Sequence, residues 1–139
     1  MNSDLRNLIN QYENEHSFTH VTVSDKSINE FEKKLGVKLP EQYITFLKEY
    51  GHGGIAGVEV MGVGLTGRAI FVDETLDARK YGLPQNFVII ENVDEWQNCI
   101  DCNTGKIVSW DQSGYIKEEN DCFDDYLKEQ FEEALENLD

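Results

Sequence analysis

Gly62, Gly64 and Gly67 spell G-V-G-L-T-G, a formal GxGxxG whose chemistry would be the cradling of a pyrophosphate. That use needs a strand before the glycines and a helix opening at them, so that helix N-terminal N–H groups face the phosphates. The following residues, RAIFVDE, are β-branched and aromatic, and no βαβ pattern surrounds them. A second candidate is the CxxC of Cys99 and Cys102. A structural zinc site takes about four nitrogen or sulfur ligands; the sequence offers no second CxxC, its one HxxxH (His16 and His20) sits among Thr and Val residues that favour loop or strand, and Cys122 stands apart. Reduced thiols on a hairpin are expected. Asp101, Asn103 and Gly105 resemble the start of a calcium loop, but its sixth and twelfth positions, glycine and glutamate, hold Lys106 and Gln112. His16 and His20 lie in a polar connector, and His52 in a glycine-flanked turn. Neither Ser109 nor Ser113 sits in a GxSxG elbow. No nucleophile–base set, acid pair or metal set stands out, so neither catalysis nor a cofactor is expected.

Charge says more. Twenty-seven acidic residues oppose twelve basic ones in 139, a net −15. Binding nucleic acid by phosphate neutralisation is disfavoured, and an anionic membrane surface would repel the chain. The charge permits attraction to a basic protein, with encounter faster at low salt, and serves general solubility equally well. A hydrophobic content of 40% argues for a packed core rather than disorder. The length suits one domain spanning 1–139. Apolar runs are too short for a membrane span, and MNSDLRNLINQYENE is not a secretory signal. A cytoplasmic location is the expectation.

The elements that must position these residues are legible from spacing. Leu5, Leu8, Ile9 and Tyr12 predict a helix over 3–15. Ser27-Ile28-Asn29-Glu30 has the capping-box form, with Ile28, Phe31 and Leu35 facing inward and Gly36 ending the helix. In LPEQYITFLKEYGHGG, Pro40 suits a first turn, Tyr43, Phe46, Leu47 and Tyr50 make one stripe, and Gly51 stands at the C-terminal cap. Ile55 to Val63 reads as a strand. Asp73 is read as the cap of a helix through Tyr81, and Phe87 to Ile90 as a short strand. A strand ending near Ile100 turns at Asn103-Thr104-Gly105 and returns through Lys106 to Trp110. Tyr115 to Lys117 reads as a last strand, after a turn at Gln112-Ser113-Gly114. Residues 122–138 form a helix striped by Phe123, Tyr126, Leu127, Phe131, Ala134, Leu135 and Leu138. From Glu118 to Asp139 ten acids meet one base, Lys128; Glu129, Glu132, Glu133 and Glu136 make a negative face.

An apolar helix, then LPxxYxxFL, a Gly-Gly turn and G-V-x-V, followed by a hairpin of the form DxxTGxIxxWD, resembles the Smi1/Knr4 family of the SUKH superfamily. The resemblance implies an α+β fold, a mainly antiparallel sheet packed by N-terminal and C-terminal helices, without a recognised catalytic constellation. It also implies, for bacterial members, an immunity protein that binds a cognate toxin, often a nuclease; for fungal members it implies a cell-wall regulator. A toxin of that kind would be basic. The mixture of aromatic anchors and charge that binding surfaces favour is richest at Asp94, Glu95, Trp96, Asp101, Trp110 and Asp111. At least one of the tryptophans is expected in the core. Glu59 and Tyr43, near the helix–strand junction, are further candidates.

Overall fold

Residues 1–138 are described by a computed structural model. Among them, three helices come first: α1 (Ser3–Tyr12), α2 (Asp25–Leu35) and α3 (Glu41–Glu49). Then follow α4 (Ile70–Arg79), strands β1 (Phe87–Val93), β2 (Trp96–Asp101), β3 (Ile107–Trp110) and β4 (Ile116–Asn120), and α5 (Phe123–Glu136). The four strands form one antiparallel sheet in the order β1-β2-β3-β4. The fold is α+β.

The α3 stripe is the centre of the core. Tyr43, Phe46, Leu47 and Tyr50 are all buried, and Tyr43 and Phe46 each meet Phe123 of α5 edge-on, at centroid distances of 5.5 and 5.6 Å. Pro40 is the N-cap, and Gly51, at φ 77°, turns the chain out of the helix. Such a φ is open to glycine without a Cβ clash. At Gly62 the need is space: a Cβ there would lie 1.8 Å from the Gly51 carbonyl oxygen.

Both faces of the sheet are covered over β1, β2 and β3. Val88, Ile90, Ile100 and Ile107 join the helical core, whereas Phe87, Ile89, Cys99, Val108 and Trp110 pack with Leu83 on the other face. A bulge between Ile89 and Glu91 adds a residue to β1, as bulges do. The Ile90 carbonyl accepts the Met61 N–H at 2.7 Å, tying the long loop to that edge. Thr75 joins α4 to β1: its hydroxyl donates to the Phe71 carbonyl and accepts the Ile89 N–H.

Several expectations are corrected. Ile55 to Val63 is not a strand; only isolated bridges, Gly53 to Val60 and Val63 to Ala69, occur there. Ala56 at φ 54° and Gly57 at φ 85° bend the chain away from an extended path. The cap of α2 is Ser24, which accepts the Ser27 N–H, so Ser27 lies inside the helix. Helix α4 opens at Ile70, not Asp73. Burial of Phe71, Val72 and Thr75 outweighs the weak helix preference of those side chains. Leu138 is exposed and lies past the end of α5.

Candidate partner-binding surface

Because β2 and β3 are antiparallel, their predicted residues separate. Asp94 and Glu95 form the two-residue β1–β2 turn, with Val93 opposite Trp96 and Asp94 at φ 42°. Gln97 is opposite Trp110, so Asp111 lies at the same end. Asp101 is five residues along β2, roughly 17 Å away at about 3.4 Å per residue.

Chemistry separates them further. Asp101 accepts from Asn86 Nδ2 at 2.8 Å and from the Asn103 N–H at 2.9 Å, anchoring the β2–β3 turn. Asp111 does the same for the next turn, accepting the Ser113 N–H at 2.9 Å and the Ser113 hydroxyl. Those bonds hold its carboxyl below the ordinary carboxylate range. Both aspartates therefore serve their own loops. Trp110, 2% exposed, is core, while Trp96 is 43% exposed. Alternation puts Trp96 on the sheet face of Asn98 and Ile100. Tyr43 is fully buried, donating to the Met61 carbonyl at 2.6 Å, so it offers nothing to a partner. Burial pushes its hydroxyl pKa well up.

Glu59 is exposed and accepts from His52 Nε2 at 3.0 Å. His52 Nδ1 accepts the Gly62 N–H at 3.0 Å, so the ring proton belongs on Nε2. This histidine clasps the Gly51–Gly62 loop. The glycines of GxGxxG lie in a turn closed by bonds between Gly64 and Arg68 and between Gly67 and Gly64. A helix does open after them, against the sequence reading, yet no parallel strand leads into it, since the described sheet is wholly antiparallel. The cysteines do not converge: Cys99 lies with Trp110, and Cys102 packs against the opposite core. Burial pushes each thiol up to about 12, which keeps it protonated and weakly nucleophilic at neutral pH.

The larger feature is acidic. Glu118, Glu119, Asn120, Asp121, Asp125 and Glu129 line one cleft between β4 and α5. Asp125, Glu129, Glu132, Glu133 and Glu136 line the next, with Lys128 their single cation. The two clefts share Asp125 and Glu129, so the surface is continuous. Beneath it, Tyr126 donates to Glu91, and Asn98 donates to both at 2.9 and 3.3 Å, bracing α5 against the sheet. Beside the surface, Tyr115 is 61% exposed and Ile116 is 46% exposed. Sequence reasoning finds their strand but not their exposure; the available signal is the lack of any apolar periodicity in Ile116–Asn120.

Residues 5–132 match the family model SUKH_5, described as SMI1-KNR4 cell-wall. The match covers nearly the whole chain, including the α3 motif and the hairpin that carry the resemblance. This protein belongs to the SUKH_5, SMI1-KNR4 family.

Proposed function

We propose that this chain is a non-catalytic binding protein that neutralises a cognate protein toxin by engaging it through an acidic surface. The continuous carboxylate face of β4 and α5 is the observation that carries this reading. A nuclease must attract phosphate, so its substrate cleft is basic. Carboxylates presented in a fixed array compete for that cleft and speed encounter. Family membership supports the same reading. Trp96, beside Asp94 and Glu95, supplies an exposed aromatic near the sheet end. A regulatory or scaffolding role with no toxin partner is the second reading, favoured by the family's cell-wall description.

Co-expression with the product of the neighbouring gene tests the first. A stoichiometric complex that abolishes that product's toxicity, and dissociates at high salt, is the expected result. A verified toxin next door, with neither complex nor protection, would leave the regulatory reading.

A further inference from the structure

Strand β4 ends the sheet: β3 pairs with it on one side, and no backbone group among the described residues pairs with it on the other. The phase of its free groups follows from hydrogen bonding. The Asp111 N–H donates to the Tyr115 carbonyl at 3.3 Å, so Tyr115 faces β3. In an antiparallel pair this orientation alternates, so Lys117 bonds to Ser109 and the amides and carbonyls of Ile116 and Glu118 face outward. A bulge between Ile107 and Val108 ends this regular stretch. An open edge with unpaired donors and acceptors is a template for an added strand.

We infer that β4 receives an extended, lysine- or arginine-rich segment of a protein partner as a fifth strand. This rests on the proposed binding function and specifies its mode. Charge complementarity chooses the occupant: Glu118, Glu119, Asp121, Asp125 and Glu129 line the cleft beside this edge. A second copy of the chain is the wrong occupant, because each carries a net charge of −15 and two such acidic faces repel. Exposed Tyr115 and Ile116 give the added strand apolar contact at its far end. Main-chain bonds would supply affinity and the carboxylates would select a basic sequence.

The test uses a capped eight-residue peptide of alternating lysine and valine, and a twin N-methylated at every backbone amide. The twin keeps the charge and cannot donate main-chain bonds. The full chain is expected to bind the first peptide at least about tenfold more tightly at low salt, since charge-assisted strand addition loses its main-chain part in the twin. Hydrogen exchange at the Ile116 and Glu118 amides is expected to slow when the first peptide binds. Ile116→Pro, checked for an unchanged unfolding curve, is expected to lose the preference. Equal binding of both peptides overturns strand addition while leaving charge-driven partner binding intact. Absence of binding by the lysine–valine peptide at millimolar concentration, or unchanged exchange at the two amides, also overturns it. Toxin protection in co-expression is read separately, so the two ideas fail independently.

Discussion

Strands β3 and β4 are neighbours in one sheet, joined by four register pairs, and they are opposites in use. Every residue of β3 is buried, whereas β4 is exposed from Ile116 to Glu119. The sequences explain the contrast: Ile107-Val108-Ser109-Trp110 is apolar on both faces, as a covered strand requires, and Ile116-Lys117-Glu118-Glu119-Asn120 offers almost nothing to bury. The same division runs through the carboxylates. Asp101 and Asp111 are tied into their own turns by backbone N–H groups, while those along β4 and α5 line open clefts and, where paired, meet single side chains, such as Lys106 at Glu118, Ser109 at Glu119 and Asn120 at Glu129. Acidity alone does not make a binding surface; a carboxylate already holding a loop is not free to hold a partner.

The contrast is broken most forcefully from the buried side. Trp110→Ala is expected to destabilise the protein by about 3–5 kcal/mol, as truncation of a buried tryptophan usually does. Trp96→Ala should shift the urea midpoint far less. Comparable losses at the two positions would show that the exposed tryptophan is structural.

Next in size is the acidic face. Glu133→Lys with Glu136→Lys is predicted to weaken a basic partner by about tenfold at low salt, an effect carried mainly in the association rate. Stability should change by no more than about 0.5 kcal/mol, as for surface sites generally, and the lysine introduced in the last turn would complement the α5 C-terminus. Titration calorimetry and chemical unfolding would separate these effects. Loss of folding instead of affinity would place the face among the structural carboxylates.

Asp111, a turn-holding carboxylate, responds to pH. Its folded pKa is lowered, chiefly by the Ser113 hydroxyl. Its stabilising contribution is therefore present above the unfolded carboxylate value and lost as pH falls through the lowered one. Asp111→Asn should flatten that acid limb in unfolding curves recorded between neutral and strongly acidic pH.

The smallest effect is at His20, whose ring nitrogens face the Glu13 carboxylate and the Glu49 carbonyl. Two acceptors require two N–H groups, and the pKa is raised, first by the bond to Glu13. This contribution is complete below the unfolded histidine value and disappears as pH rises through the higher folded one. Solvent exposure keeps it under about 1 kcal/mol. His20→Gln should remove that pH dependence from stability measured between about pH 6 and about pH 8, a window set by an ordinary value near about 6.5.

What can be read from the chain follows how local the cause is. Helix α3 is legible because proline, stripe and glycine all act within a few residues, and the Asn103-Thr104-Gly105 turn likewise fixes the β2–β3 hairpin. Helix α4 starts earlier than its sequence suggests, since the preference of Ile70, Phe71 and Val72 is set aside by packing with residues far along the chain. The Ile55–Val63 stretch has strand-like residues, but positive φ at Ala56 and Gly57 and closure onto Gly51 and Gly53 divide it. Trp96 and Trp110 look alike in sequence. Only the register of β1, β2 and β3 makes one core and leaves the other at a turn. The acidic face is visible as a run in Glu118–Asp139, whereas its continuity across β4 and α5 depends on how the strand and helix meet.

Whether the β4–α5 carboxylates engage a basic partner is tested by the salt dependence of the dissociation constant for the proposed partner. Wild type and the Glu133→Lys/Glu136→Lys variant would be compared from low salt to about 0.5 M, where the screening length falls well below about 8 Å. Steep weakening is expected for wild type, and a weaker, flatter response for the variant. Identical affinities with identical salt slopes would contradict engagement through this face.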